Sequence, residues 1–318
     1  DNDVQATGDT ATFTWYDNGI FIVQLTVVDD EGDLGFCYAE IEVLNVPPTI
    51  ESAQGFIEAE LCLRVAGSKW SNVMMTLYKN YGTWGQKAVA ALEVERWPGP
   101  PDENPTNPPE TACVPVRLDV TGQVIYTAVI EYDPFPDEGD LILGDQPNNG
   151  NDPWDNAGNP VWLILRYPDG TEMRCHHTFN TQQSMIRDSD HWNHVEPWLV
   201  EIIGAAIANQ PITFVATATD PGTDDLTFVW DWGDGTPTTA STYYYDPTRT
   251  PPDDPYPSPY EPYFGGTMPP LNVTDTQSHA YALPGTYTVT LTVMDDDGGS
   301  TKVTMTVTVD GGMYCPKD

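Results

Sequence analysis

Apolar and polar side chains alternate with a period of two in segment after segment of this chain, as they do in strands with one buried face. Tyr287, Val289, Leu291 and Val293 share one face of a run interleaved with threonine, and Val303, Met305, Val307 and Val309 share one face of the next. Ile212-Thr-Phe214-Val-Ala216 and Leu226-Thr-Phe228-Val-Trp230-Asp-Trp232 follow the same rule. So do Ile57 to Val65, Val114 to Val120 and Tyr126 to Tyr132. Val161 to Tyr167 and Thr171 to Phe179 flank Pro168-Asp169-Gly170, whose residues suit a hairpin turn. Val195 to Ile203 predicts a closing strand, while Gln86 to Val94 fits a short helix or a strand equally. The pattern predicts an all-β protein.

Two of these segments repeat. Gly285-Thr-Tyr287-Thr-Val289-Thr-Leu291-Thr-Val293-Met-Asp295-Asp-Asp297-Gly298 aligns without a gap to Gly19-Ile-Phe21-Ile-Val23-Gln-Leu25-Thr-Val27-Val-Asp29-Asp-Glu31-Gly32. The following strand repeats as well, with Cys37, Ala39, Ile41 and Val43 at the positions of Val303, Met305, Val307 and Val309. Cys37 is therefore expected to be a buried thiol.

The C-terminal copy reads in order Asp220-Pro…Asp224, Trp230-Asp-Trp232-Gly-Asp-Gly235, His279-Ala-Tyr281, the Gly-Thr-Tyr-Thr-Val run, and Asp295-Asp-Asp-Gly298. This set resembles the PKD (polycystic kidney disease) repeat over about residues 209–310. The resemblance implies an immunoglobulin-like β-sandwich of secreted and surface proteins, used as spacer, adhesive module or enzyme accessory, with Trp230, Trp232 and Tyr281 in structural roles. Residues 1–46 match the second half of such a module only, which leaves truncation or completion by another chain as explanations. The expected organisation is a half-module over 1–46, a central β-rich, sandwich-like domain of no recognised family over 47–205, and a PKD-like sandwich over 206–318. That last module carries a Tyr/Pro-rich insertion at 236–278.

Charge narrows the partners. Twelve Lys and Arg face 48 Asp and Glu, a formal net charge of -36. Such a surface repels nucleic-acid phosphates and anionic lipid, and attracts divalent cations. No apolar run is long enough to span a bilayer.

Calcium, which takes oxygen ligands on flexible backbone, is the expected cofactor. Its candidate ligands are Asp29 and Asp30 in the first repeat, and Asp220, Asp224, Asp225, Asp295, Asp296 and Asp297 in the second. Turn-forming preference alone explains the same residues. The acid-rich stretch from Asp137 to Asn159 offers further oxygens. A weaker transition-metal set is His176, His191 and His194, although neighbours on a strand point to opposite faces. Cys62 and Cys113 lie on the polar faces of their strands and are candidates for a disulfide. Asn272-Val-Thr274 is a glycosylation sequon. Tyr243, Tyr244, Tyr245, Tyr256, Tyr260 and Tyr263 in the proline-stiffened insertion form a candidate contact arm. No nucleophile elbow, phosphate loop or triad is present, so catalysis is not expected.

These features point to an extracellular structural or adhesive segment: part of a surface layer, sheath, filament or adhesin. Its partners would be other copies of itself or neighbouring surface proteins. The alternative is an accessory region of a larger secreted hydrolase that grips polysaccharide or protein through Trp154, Trp162 or Trp192.

Overall fold

The computed structural model describes residues 8, 10–15, 18–66, 71–96, 109–122, 124–133, 160–179, 185–186, 194–195, 197–203, 205–222, 224–244, 271–309 and 312–315. They form strands β1 (Gly19–Val28), β2 (Leu34–Val43), β3 (Thr49–Val65), β4 (Ser71–Lys79), β5 (Lys87–Arg96), β6 (Glu110–Asp119) and β7 (Ile125–Asp133). These are followed by β8 (Pro160–Arg166), β9 (Glu172–Thr178), β10 (Met185–Ile186), β11 (His194–Val195), β12 (Trp198–Ile203), β13 (Ile212–Asp220) and β14 (Leu226–Asp231). The last five are β15 (Thr239–Tyr243), β16 (Leu271–His279), β17 (Gly285–Met294), β18 (Ser300–Val309) and β19 (Gly312–Tyr314). The described residues contain no helix. The ambiguous segment after Gln86 is strand β5, paired with β4.

Two compact units divide the chain, and neither is continuous in sequence. The first comprises Asp1–Gln54, Phe214–Gln277 and Tyr287–Thr306. The second comprises Gly55–Thr213, Ser278–Thr286 and Val307–Asp318.

In the first unit a four-stranded sheet runs β15-β14-β17-β18, and β16, β13 and the opening residues of β3 are sheet neighbours. Alternation explains the core directly. Phe214, Ala216 and Ala218 of β13, Leu226, Phe228 and Trp230 of β14, and Val289, Leu291 and Val293 of β17 are all fully buried. Each of the larger side chains among them, Val, Leu or Phe, contributes on the order of 1.5–3 kcal/mol when removed from water. Trp230 and Trp232 stack with ring centroids 5.6 Å apart and planes 9° from parallel. Buried Asp275 accepts hydrogen bonds from Trp230 Nε1 at 2.6 Å, Tyr243 Oη at 2.8 Å and Gln277 Nε2 at 3.0 Å. Three donors from three strands thus satisfy one buried carboxylate, as burial of a charge requires. Gly233, at φ +75°, ends the Trp-Asp-Trp run, and a Cβ there would collide with the backbone of Thr288. Strand β15 and all of β16 but His279 fall inside the segment read from sequence as an insertion.

The same unit contains the ribbon β1–β2, a two-stranded antiparallel sheet in register from Gly19↔Val43 to Val28↔Leu34. Most of its apolar side chains are exposed, while Phe21, Ile41 and Val43 are half-buried. Cys37 is an exposed free thiol, not the buried one expected. The expectation took its burial from Val303 in the complete copy. In the described structure no second sheet covers this face of the ribbon.

In the second unit the sheet β19-β12-β7-β4-β5 and the strands β6, β3, β8 and β9 carry the core. Leu61, Leu63 and Val65, Val73, Met75 and Leu77, Ala128 and Ile130, Leu163 and Leu165, and Val200 and Ile202 are buried. Cys62 and Cys113 sit opposite each other on β3 and β6 and form a disulfide; Cys62 is buried rather than on a wet face. A second disulfide joins Cys175 of β9 to Cys315. Among the described residues no helix is long and apolar enough to cross a membrane.

Candidate metal centre

Strand β13 ends at Asp220, and Asp220-Pro-Gly-Thr-Asp224-Asp225 leads into β14. Strand β17 ends at Met294, and Asp295 opens the turn into β18. Together the two turns bring one carboxylate oxygen each from Asp220, Asp224 and Asp295 within 4.8 Å of one another. All three residues are buried, Asp220 completely.

The backbone holds these side chains in place. Gly222 N donates to Asp220 Oδ1 at 2.7 Å, and Gly299 N donates to Asp295 Oδ1 at 2.6 Å. Asn45 Nδ2 donates to Asp295 Oδ2 at 3.0 Å. Two glycines make room: a Cβ at Gly222 would strike the Asp224 carboxylate, and one at Gly299 would strike that of Asp295. Asp220 Oδ2 is buried without a hydrogen-bond partner. An oxygen in that position costs on the order of 1–3 kcal/mol unless something supplies positive charge. Burial pushes the Asp220 carboxyl above its ordinary 3.8; the Gly222 amide and Asp224 pull it down, and the charges of Asp295 and Asp296 push it up again. Three converging carboxylates whose mutual repulsion favours an added cation are the donor set of a hard divalent ion such as calcium. The residues fit that ion.

The other predicted ligands are placed around this trio or away from it. Asp225 N donates to Asp296 Oδ1 at 3.0 Å, so those two residues brace the two turns against each other. Asp297 is half-buried in the β17–β18 turn. Asp29 and Asp30 lie on the exposed β1–β2 turn, where Asp29, Glu31 and Asp33 form an open acidic group. The acid-rich stretch 137–159 lies outside the described residues.

His176 is exposed, its ring 5.0 Å from that of Trp162, whereas neighbouring His177 stacks on Trp198 at 5.3 Å. His194 pairs with Ile186 through the backbone of β11, and His191 lies outside the described residues. No histidine joins a group of three metal-ligating side chains among the described residues. Tyr243 belongs to the module itself: its hydroxyl bonds Asp275 and its ring meets Phe228 at 5.6 Å. Tyr244 is half-buried, while Tyr245, Tyr256, Tyr260 and Tyr263 lie outside the described residues. Asn272 is exposed on β16. Trp162 lies under the Arg64 guanidinium, 5.2 Å from the ring centre, while Trp154 and Trp192 lie outside the described residues.

Two residues of the module's polar network escaped sequence reading. Asn45 gives no signal, because it reaches Asp295 across 250 positions of chain. Asp275 does give one: it occupies an inward position of β16, in alternation with Val273.

Comparison with known proteins agrees with the module. The family model of the PKD domain matches residues 204–309. None of the curated proteins matches this chain. Among solved structures, red sea bream transglutaminase aligns at 12% identity and a TM-score of 0.23, over 84% of this chain and 32% of that one. The chain thus spans about a third of that protein's length.

Proposed function

We propose that this chain, whose C-terminal module is a PKD domain, is a non-catalytic structural or adhesive segment of an extracellular surface assembly, with calcium as the staple of that module. The assembly is a layer, sheath, filament or adhesin. The buried trio Asp220, Asp224 and Asp295 carries the reading. Its members come from the two halves of the module, one turn after β13 and one after β17. An ion held there joins the halves, so the module is stiff where calcium is abundant. Extracellular modules typically bind calcium with Kd of about 10⁻⁴–10⁻³ M. Two disulfides suit an oxidising compartment. The hallmark side chains are consumed by the fold: Trp230, Trp232 and Tyr281 are buried.

Negative-stain electron microscopy of the purified chain, in millimolar calcium and then in chelator, tests the assembly. Regular sheets or filaments that disperse on chelation are expected. Single particles in both conditions would refute it. Removing residues 246–263 probes the Tyr/Pro arm, and assembly is expected to weaken while the module still unfolds cooperatively.

One observation favours a second reading, the accessory polysaccharide-binding region. Trp84 is fully exposed and Tyr81 partly exposed on the β4–β5 turn, which backbone hydrogen bonds from Thr83 N to Asn80 O and from Gln86 N to Thr83 O hold in shape. Beside it lies a shallow depression of about 290 Å³ lined by Asn80, Tyr81, Thr83, Thr127, Leu199 and Glu201 among others. Aromatic faces next to hydroxyl, amide and carboxylate groups suit a sugar chain. Pull-down on insoluble polysaccharides, lost on Trp84→Ala, would favour this reading over the first.

A further inference from the structure

The β4–β5 turn is built to hold a tryptophan in solvent. Asn80 at φ +56° and Gly82 at φ +74° carry the chain through left-handed backbone. Asn80 N donates to Ile125 O at 3.1 Å, which ties the turn to β7. Gly82 N donates to Gln86 Oε1 at 2.9 Å, Thr83 Oγ1 donates to Asn80 O at 2.7 Å, and Gly85 N donates to Thr83 Oγ1 at 3.2 Å. A ring carried on a bonded turn loses little conformational freedom when a ligand stacks on it. The long stretches 97–108 and 134–159 leave this sheet at its other end, after Arg96 opposite Ser71 and after Asp133 opposite Asn72.

Register sets the floor of the depression beside Trp84. Glu201 of β12 and Tyr78 of β4 both lie opposite Thr127 of β7, so the three side chains share one face of the sheet in a single row. Neighbouring strands are about 4.8 Å apart, which makes that row about 10 Å long. Tyr81 meets Tyr78 with ring centroids 5.4 Å apart. Leu199, two residues before Glu201 on β12, adds an apolar wall. Aromatic rings thus stand at one end of the row, a hydroxyl in the middle and a carboxylate at the other end.

Charge selects the ligand. Glu201 is the one charged residue among the described residues lining the depression, and it is exposed. None of the described Lys and Arg residues forms an ion pair with it. Lys79, the cation of β4, lies opposite buried Tyr126 and bonds Asp119 at 2.5 Å. A uronate or sulfate group here would face Glu201 and a net charge of -36 without a counter-charge. A protonated amine reverses that sign, and over Tyr81 or Trp84 it also gains from the ring face. Resting on the polysaccharide-binding reading above, we propose that the depression beside Trp84 takes an amino-sugar polymer with free amino groups. Sugar faces stack on Trp84 and Tyr81, and an ammonium group meets the Glu201 carboxylate.

Titration calorimetry of the full chain tests this with hexamers of glucosamine, N-acetylglucosamine and galacturonate, in about 0.15 M salt at a pH that keeps the amines protonated. The glucosamine hexamer is expected to bind saturably, the N-acetylated one more weakly and the galacturonate one not at all. Trp84→Ala should weaken glucosamine binding at least ~10-fold, as loss of a central aromatic contact does. Glu201→Gln should weaken it about 2- to 5-fold, the range of an exposed ion pair, and leave N-acetylglucosamine binding unchanged. Both side chains are exposed, so both variants should keep the parent's denaturation midpoint. N-acetylglucosamine or galacturonate bound as tightly as glucosamine, and lost on Trp84→Ala, would overturn the amino-sugar assignment and keep the polysaccharide-binding reading. Glucosamine binding that neither variant changes would overturn the proposal, because the acidic surface then attracts amines without a site. Binding of none of the three hexamers would overturn the proposal and the polysaccharide-binding reading together.

Discussion

The ribbon β1–β2 and the hairpin β17–β18 are nearly the same object in sequence and opposite objects in energetics. Both alternate, both turn on an acidic loop, and both align residue for residue. Yet Leu291 is inside and Leu25 is outside. Alternation specifies which side chains face together; it does not supply the sheet they face. The stability of a strand pair lies mostly in its cover.

The sharpest break of the comparison is a matched pair of truncations. Leu291→Ala should cost about 2–5 kcal/mol in denaturant unfolding of the PKD domain, and Leu25→Ala less than about 0.5 kcal/mol. Similar costs would mean that the ribbon is covered in solution.

On the proposed calcium reading, the two turns differ by a smaller amount. At ten times Kd, one site adds about 1.4 kcal/mol of stability to the complete module. Calorimetry should show this gain in the parent chain and in Asp29→Asn, and lose it in Asp295→Asn. Gain without change in both variants would remove the trio as the site.

Alkaline pH gives the smallest effect. Burial, and then the bond to Asp275, push the Tyr243 phenol up from 10.0 to about 12. A raised phenol favours the neutral folded form, so its contribution is full below pH 10 and is lost as pH rises through about 12. Much of that group is screened by solvent, which limits the contribution to about 1 kcal/mol. Tyr243→Phe should remove that share of the pH dependence, read by unfolding at pH 9 and pH 11.

Much of the fold was legible because its signals are local. The Trp230-Asp-Trp232-Gly run, the period-two strands and the hairpin at Pro168-Asp169-Gly170 depend on neighbours in sequence. The candidate metal centre shows the limit of composition: eight aspartates were candidate ligands, and three of them, Asp220, Asp224 and Asp295, converge in the buried cluster. Which three depends on β13 and β17 ending side by side, a long-range fact. Partnerships such as Asn45 with Asp295, Asp275 with Trp230, and Cys175 with Cys315 were unreadable for the same reason. Strands β15 and β16 were hidden because turn-rich sequence around them outweighed their short alternation.

The disulfide between Cys175 and Cys315 has a mechanical consequence. It closes a covalent loop across a sequence separation of 140, and β13 to β18 all lie within that loop. Tension entering the chain before Cys175 and leaving after Cys315 passes through two sulfur atoms and bypasses everything between them. The PKD domain is therefore out of the load path while the bond is intact. Under reducing conditions the same pull would reach its strands, and the length released per molecule would grow by more than a hundred residues of extended chain, at roughly 3.3–3.6 Å each.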